Sequence, residues 1–235
     1  MRTPLFAVNP YGTMTSTSPA YSPPPAGRLD FHYIDAALLV VDKPSGLLSV
    51  PGRGAEKQDS LVARVQAQFP GARSVHRLDM GTSGLLVLAL DADIQRELGR
   101  QFEFRQVEKC YVAVVAGHVA QEECLIDLPL IADWPNRPRQ MVDHVRGKPS
   151  LTRLKVLGYD QASDTTRVHL MPETGRSHQL RVHMQAIGHP ILGDELYAPP
   201  PIVEQAPRLL LHASFLAFSH PWTLTRLAIN SPPPF

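Results

Sequence analysis

GARSVHRLDMGTSGLLVLAL, residues 71–90, is the stretch around which the chain is organised. It begins as a polar, glycine-containing loop, passes through His76-Arg77-Leu78-Asp79, and ends in an apolar run that predicts a buried β-strand from Gly84 to Leu90. A carboxylate in a loop that leads directly into a buried strand is held rigidly, as a nucleophile or general base must be. Taken alone, an Arg-Leu-Asp triplet is more typical of an ordinary surface loop, so its meaning depends on the rest of the chain.

Composition indicates a globular protein with a sizeable core, since 43% of the 235 residues are hydrophobic and 19% are charged. The net charge of +1 demands no polyanionic partner, although a local basic face remains possible. The two cysteines, Cys110 and Cys124, argue against a disulfide framework and for a reducing compartment. The chain has no apolar run of about 20 residues and no secretory signal, so we expect no membrane span and a cytoplasmic location.

The chain divides into a tail and one folded domain. Residues 1–27 are rich in Pro, Ser and Thr and predict a disordered tail, and folding is expected to begin near Arg28 and to continue to residue 235. Hairpins are predicted at 28–44 and 151–173, helices at 61–69, 91–105 and from about 177, and further strands at 109–117, 123–131, 209–221 and 223–230. Frequent hairpins interrupted by single helices favour an α+β fold with a mixed, largely antiparallel sheet over a doubly wound parallel sheet.

Basic residues concentrate between Val145 and His189, where seven lysines and arginines face three acids, a local charge of +4. This window is either a solvated strand face or a groove for a phosphate backbone, and charge alone slightly favours the first. Within it, Arg176 and Arg181 flank a glycine-opened helix start, where either could hold a buried carboxylate or remain an ordinary surface arginine.

The sequence gives little support for a metal or nucleotide site. His178 and His183 lack the spacing and the glutamate of a zinc-binding HExxH helix, and neither cysteine belongs to a CxxC pair. The chain also contains no GxxxxGK[ST] and no GxGxxG, so we expect no cofactor. Tyr111 lies in a valine- and alanine-rich strand, where it is either a core residue or a ring that stacks on a base.

Several stretches together resemble the RluA family of pseudouridine synthases: KPSGLLSVPG (43–52), HRLDMGTSG (76–84), KCYVAVVAGH (109–118), TGRSHQLRVHMQAIGHPILGDELY (174–197) and RLLLHA (208–213). These motifs stand in the family's order over residues 30–230. DWPNRPRQ (133–140) and the short chain resemble the subgroup that modifies both large-subunit ribosomal RNA and the anticodon stem-loop of tRNA. The larger members carry an N-terminal S4 domain, and residues 1–27 do not resemble one.

The resemblance implies a pseudouridine synthase fold with a central RNA-binding cleft and no cofactor. It implies that Asp79 is the catalytic aspartate, Tyr111 the base-stacking tyrosine, Arg181 the partner of the aspartate, and Arg77 the residue that replaces the target uridine in the RNA stack. The full set of expected RNA contacts is Arg77, His76, Thr82, Arg176, His178 and His183. Structured RNA, namely rRNA, tRNA or both, is the expected partner, and the protein is expected to be a monomer.

Pseudouridylation breaks the C1′–N1 bond of uridine, turns the uracil and joins C5 to C1′, so neither redox chemistry nor ATP is required. A carboxylate can attack C1′, attack C6 or remove the C2′ proton, and the sequence leaves these routes open. Two other classes of protein also remain: a non-catalytic RNA-binding protein of the same fold, and a hydrolase that pairs Asp79 with a second acid such as Asp194. The first would be expected to have lost Asp79 or Tyr111, and both are present.

Overall fold

The computed structural model describes residues 21–235. The predicted disorder of residues 1–20 therefore lies outside the described residues. In the rest of the predicted tail, the hydroxyl of Tyr21 donates to the Asp59 carbonyl and accepts from the Leu48 amide, each at 3.0 Å. Arg64 donates to the Pro24 carbonyl at 2.6 Å. These contacts hold residues 21–25 against the domain, upstream of the predicted start at Arg28.

The described residues form twelve strands, four α-helices and two 3-10 helices, Ala55–Lys57 and Trp134–Asn136. The strands are β1 Phe31–Ile34, β2 Leu38–Lys43, β3 Arg73–Ser74, β4 Ser83–Ala89, β5 Glu108–Ala116, β6 Glu123–Asp127, β7 Leu130–Ala132, β8 Gln140–Val142, β9 Leu151–Asp160, β10 Thr165–Pro172, β11 Leu211–Ser219 and β12 Arg226–Asn230. The α-helices are α1 Leu61–Gln66, α2 Ala92–Glu103, α3 Gln179–Ala186 and α4 Pro200–Val203.

Ten strands form one sheet in the order β1-β2-β4-β11-β5-β10-β9-β6, with β3 and β12 paired to β4 and β11. Every pairing within the described residues is antiparallel except that of β4 with β11. Strands β7 and β8 form a separate two-stranded sheet. The predicted α+β class with a mixed, largely antiparallel sheet is confirmed.

Strand β4 is an interior strand of the sheet, between β2 and β11, and all seven of its residues are buried. Leu86 and Leu88 face one core cluster, whereas Leu85, Val87 and Ala89 face another. This alternation is the period-2 pattern of a strand that is covered on both faces. The strand therefore provides a rigid support for the loop that precedes it, which carries Asp79.

Both predicted helix starts near the central stretch are confirmed. The Ser60 side chain accepts from the Ala63 amide at the start of α1, and the Asp91 side chain accepts from two amides at the start of α2. The predicted single strand over 123–131 is wrong, because β6 and β7 belong to different sheets. Pro129 lies between them and has no amide hydrogen to continue a ladder. None of the helices described between residues 21 and 235 is long and apolar enough to cross a membrane.

Candidate active site

The loop that carries Asp79 is tied to the rest of the domain on both sides of that residue. Lys43 donates from Nζ to the Met80 carbonyl at 3.0 Å and to the Leu47 carbonyl at 2.6 Å. Ser49 donates to the Leu78 carbonyl at 2.7 Å and accepts from the Leu78 amide at 3.0 Å. The predicted rigid support of the carboxylate is therefore present, and much of it comes from the KPSGLLSVPG segment.

Lys43 is fully buried, with no exposed surface. Burial lowers the pKa of its ammonium group to about 7, while the negative charge of Asp79 favours the protonated form. The three N–H donors of the charged form match three backbone carbonyls, those of Pro44, Leu47 and Met80. Lys43 thus orders the backbone behind Asp79.

Arg181, on α3, is shared by two carboxylates. Its Nε and Nη2 bind Asp194 in a bidentate pair at 2.8 and 2.6 Å, and its Nη1 lies 3.3 Å from Oδ2 of Asp79. The Asp194 side chain has no exposed surface, whereas that of Asp79 is 27% exposed. Although burial opposes the charge, the hydrogen bonds that Arg181 donates to Asp194 raise the pKa of its guanidinium. The second acid considered for a hydrolase is thus fully engaged by Arg181.

His178 approaches Asp79 from another side, with its Nε2 at 3.9 Å from Oδ1. Its Nδ1 lies 2.7 Å from the hydroxyl of Tyr197, which also accepts from the Gln140 amide at 2.8 Å. The Tyr197 hydroxyl can donate to Nδ1 or accept from it, and in either case the contact orients the ring with Nε2 towards Asp79. Burial lowers the pKa of His178 and favours the neutral imidazole, although Asp79 acts in the opposite direction.

The backbone of His178 has a positive φ of 55°, which residues other than glycine adopt rarely. This residue precedes α3, which begins at Gln179 rather than at the predicted Ser177. The Gln179 side chain accepts from the Thr174 hydroxyl and the Arg176 amide, so it folds the preceding loop into a turn. Local strain beside a catalytic candidate is a common feature of functional sites.

Tyr111, on β5, packs between two core clusters and lines the same cavity as Asp79. Burial raises the pKa of its hydroxyl, and the negative charge of Asp79 adds to this effect, so the phenol keeps its proton at neutral pH. The cavity has a volume of about 110 Å³. Its lining includes Arg77, Asp79, Thr82, Tyr111, Arg176, His178 and Arg181.

The structure thus brings the three predicted catalytic residues together with four of the six predicted RNA contacts. Arg77 and Arg176 are exposed at the cavity, where they can meet a phosphate or a base. Thr82 is only 2% exposed and donates its amide to the Asp79 carbonyl at 3.1 Å.

Two predicted RNA contacts do not reach the cavity. His76 stacks on Phe102 at 4.4 Å and accepts from the Val87 amide at 3.1 Å, and burial lowers its pKa to about 3. His183 is fully buried between Thr152 and the Leu128 carbonyl, at 3.0 Å from each. Both side chains support the fold around the site because their polar atoms bond to the interior of the domain.

The basic residues between Val145 and His189 do not form a single patch. Arg153 pairs with Glu173 and Lys155 with Glu123, each at 2.8 Å, on the outer strands of the sheet. Arg146 pairs with Asp143 at 3.0 Å. Of the seven basic residues in the window, Arg176 and Arg181 are the two that line the Asp79 cavity.

One group of side chains in the described part of the chain has spacing that would suit a metal ion, and it comprises Asp30, His32 and Asp42. It lies at β1 and β2 and does not line the Asp79 cavity.

Sequence reasoning gave no role in the site to Lys43 or Tyr197 and considered Asp194 only as a second acid. All three lie within the KPSGLLSVPG and GHPILGDELY stretches, so membership of those motifs was the available signal.

Comparisons with known proteins agree on one family. A family model described as RNA pseudouridylate synthase matches residues 37–186, more than half of the chain. A curated relative from Escherichia coli K12, named dual-specificity RNA pseudouridine synthase RluA, is 54% identical over 215 residues, which cover 92% of this chain and 98% of the relative. The relative of the same name from Yersinia pestis is 58% identical over 189 residues, covering 80% of this chain and 91% of that protein.

Solved structures give the same result at the level of the fold. Human RNA pseudouridylate synthase domain containing 1 superposes with a TM-score of 0.75 at 33% identity, covering 90% of this chain and 87% of that one. Human RNA pseudouridylate synthase domain containing 4 superposes with a TM-score of 0.69 at 24% identity, over 87% and 88% of the two chains, and shows the fold alone.

Proposed function

Because this chain belongs to the RluA family of RNA pseudouridine synthases, we propose that it isomerises uridines in both large-subunit ribosomal RNA and the anticodon stem-loop of tRNA, with Asp79 as the essential carboxylate. The enzyme is an isomerase, and the family defines the reaction as conversion of uridine to pseudouridine in RNA. The double specificity rests on the relatives, which are named dual-specificity enzymes and are 54–58% identical to this chain.

The observation that carries the proposed role of Asp79 is its position between Arg181 and His178. Oδ2 faces a guanidinium at 3.3 Å and Oδ1 faces an imidazole nitrogen at 3.9 Å, in a cavity that Tyr111 also lines. All three chemical routes use an oxygen of this carboxylate, and the guanidinium faces it with a hydrogen-bond donor. A nucleotide seated in the cavity would cover the 27% of the Asp79 side chain that is exposed and would exclude water.

The target uridine must leave its stack to reach Asp79, which costs a few kcal/mol. Arg77 is exposed at the cavity and is proposed to fill the gap in the RNA stack. Tyr111 is proposed to stack on the uracil, an interaction that contributes about 1–3 kcal/mol per base. Thr82, Arg176 and His178 complete the proposed contacts with the flipped nucleotide and its phosphates.

His76 and His183 are proposed to affect RNA binding only indirectly, by stabilising the fold around the site, since neither lines the cavity. The proposed rRNA and tRNA substrates support a cytoplasmic location.

Carbodiimide mapping of transcribed tRNA and large-subunit rRNA, incubated with the protein, tests this proposal. We expect a pseudouridine-specific stop in each RNA and an unchanged RNA mass, because isomerisation moves no atoms out of the molecule. Asp79→Asn should remove both stops while it leaves the folded domain intact. Release of free uracil would instead indicate a hydrolase, and binding without any stop would indicate the non-catalytic alternative.

A further inference from the structure

The hairpin formed by β7 and β8, with its connecting loop 133–139, stands apart from the main sheet but is anchored to the site. Leu130 of β7 packs with Val182 and Tyr197 in a small buried cluster, which Val142 of β8 covers. Val182 follows Arg181 directly in α3. The base of the hairpin is therefore fixed to the helix that positions the guanidinium beside Asp79.

A chain of polar contacts also joins the hairpin to Asp79. The Gln140 amide donates to the Tyr197 hydroxyl at 2.8 Å, and that hydroxyl lies 2.7 Å from Nδ1 of His178. Nε2 of His178 lies 3.9 Å from Asp79. Three successive contacts thus connect the first residue of β8 to the catalytic carboxylate. The end of loop 133–139, at Arg139, is separated from the cavity by the side chains of Tyr197 and His178.

Loop 133–139 presents an aromatic ring and two guanidinium groups. The Trp134 side chain is 66% exposed, and the Arg137 guanidinium lies over its ring at 4.2 Å from the centroid. The Arg139 guanidinium lies 5.4 Å from the centroid of the Tyr197 ring. A planar guanidinium stacked on an indole keeps its edge donors free for a further partner.

Neither Arg137 nor Arg139 has a carboxylate within 4.0 Å among residues 21–235. Three other exposed arginines are paired with acids: Arg146 with Asp143, Arg153 with Glu173 and Arg96 with Asp93. The loop therefore combines an exposed indole with two charges that have no counter-charge. Unpaired nucleotides match this arrangement, because bases stack on aromatic rings and phosphates neutralise guanidinium groups.

We propose that Trp134, Arg137 and Arg139 form a surface that grips the unpaired nucleotides flanking the target uridine, with a base on Trp134 and phosphates on the two arginines. This inference rests on the proposed function and adds a substrate-positioning surface to it. It assigns loop 133–139 to recognition of the RNA and leaves the chemical step to the cavity. Loss of the surface should therefore weaken binding and raise KM, while kcat with saturating RNA stays close to that of the wild type.

The test measures the Kd and the kinetics of the full-length protein with two probes, a transcribed anticodon stem-loop and a transcribed hairpin of large-subunit rRNA. Trp134→Ala is expected to raise Kd and KM about 5- to 150-fold, as loss of one stacked base does. Trp134→Phe should recover part of this loss because it keeps a ring. Arg137→Gln and Arg139→Gln should each reduce the slope of log Kd against log salt by about 0.7, the value for one phosphate of a single strand.

The matched controls are Trp222→Ala and Arg153→Gln. Trp222 is 58% exposed in the connection between β11 and β12, and Arg153 is already paired with Glu173, so neither change should alter Kd by more than about 2-fold. Equal effects of Trp134→Ala and Trp222→Ala would overturn the proposal. Should Trp134→Ala lower the melting temperature, the two arginine variants decide the result, and unchanged salt slopes in both would also overturn it.

The two proposals fail in distinguishable ways. Absence of pseudouridine in both probes with the wild-type protein would contradict the proposed substrates, whatever the loop does. Normal pseudouridine formation with unchanged KM in Trp134→Ala and in both arginine variants would contradict only the role of loop 133–139.

Discussion

Arg181 binds Asp194 more closely than it binds Asp79. Two hydrogen bonds of 2.6 and 2.8 Å join the guanidinium to Asp194, and a single contact of 3.3 Å joins it to Asp79. The fully buried Asp194 thus holds the arginine, and the remaining donor faces the carboxylate at the cavity. This division leaves Asp79 less tightly bound and available to react.

Asp194→Asn should destabilise the protein by about 3–5 kcal/mol, the usual cost of removing one partner of a buried ion pair. It should also lower kcat, because the guanidinium is no longer held in place beside Asp79. Urea unfolding and single-turnover kinetics measure the two effects. Asp79→Asn is the matched control, since it should abolish turnover at a much smaller cost in stability. A larger loss of stability in Asp79→Asn than in Asp194→Asn would show that Asp79 is the principal partner.

Tyr111→Phe should keep the Kd for RNA within about 2-fold, because the ring still stacks. It should reduce turnover severely, because we propose that the Tyr111 hydroxyl takes part in transfer of the C5 proton of the uracil at the end of the reaction. Burial and Asp79 raise the pKa of this hydroxyl above its ordinary value of 10.0, so it stays protonated in mildly alkaline solution. Wild-type activity should therefore show no decline from Tyr111 ionisation as the pH rises towards 10. Filter binding and pH-dependent kinetics test this, and normal turnover in Tyr111→Phe would remove the hydroxyl from the reaction.

Gly84→Ala should destabilise the domain by about 2–5 kcal/mol. Gly84 has a φ of +108°, and an added Cβ would collide with the backbone of Ala213 on the neighbouring strand β11. The matched control is Gly99→Ala in α2, where a Cβ meets no atom and alanine should stabilise the helix by about 0.5–1 kcal/mol. Thermal unfolding should show a lower melting temperature than the wild type for Gly84→Ala and a slightly higher one for Gly99→Ala. Equal melting temperatures of the two variants would contradict this prediction.

We expect the free energy of unfolding to fall in acid because of the buried His76 side chain. Its pKa is lowered from 6.5 to about 3 in the folded state, chiefly by burial, and its Nε2 must stay unprotonated to accept from the Val87 amide. Between these two values the unfolded chain binds a proton that the folded chain does not. The stability that the neutral ring provides is thus fully present above pH 6.5 and decreases by about 1.4 kcal/mol per pH unit below it.

His76→Gln should reduce this loss of stability between pH 7 and pH 5, because glutamine can accept a hydrogen bond without titrating. Urea unfolding at the two pH values measures the difference from the wild type. His144→Gln, at an exposed histidine, should leave the pH dependence as it is in the wild type. The same acid sensitivity in His76→Gln and in the wild type would mean that other buried groups cause it.

Predictions from local pattern were confirmed where the signal lies within a few residues. The buried strand after Gly84, the caps at Ser60 and Asp91 and the hairpin of β9 and β10 all depend on neighbouring side chains and amides. The prediction failed at residues 123–131, where apolar residues on both sides of Pro129 gave one continuous pattern across two sheets.

The sequence by itself determined the family, the rigid loop of Asp79 and the identity of the three residues proposed for catalysis, because each lies in a contiguous motif. Tertiary structure alone decided which groups meet, since Asp79 and Arg181 are 102 residues apart and are brought together by the order of the strands. It also placed the polar atoms of the His76 and His183 side chains against the interior of the domain and left the Trp134 ring exposed. The physical reason is that local patterns specify secondary structure, whereas burial and pairing depend on how distant segments pack.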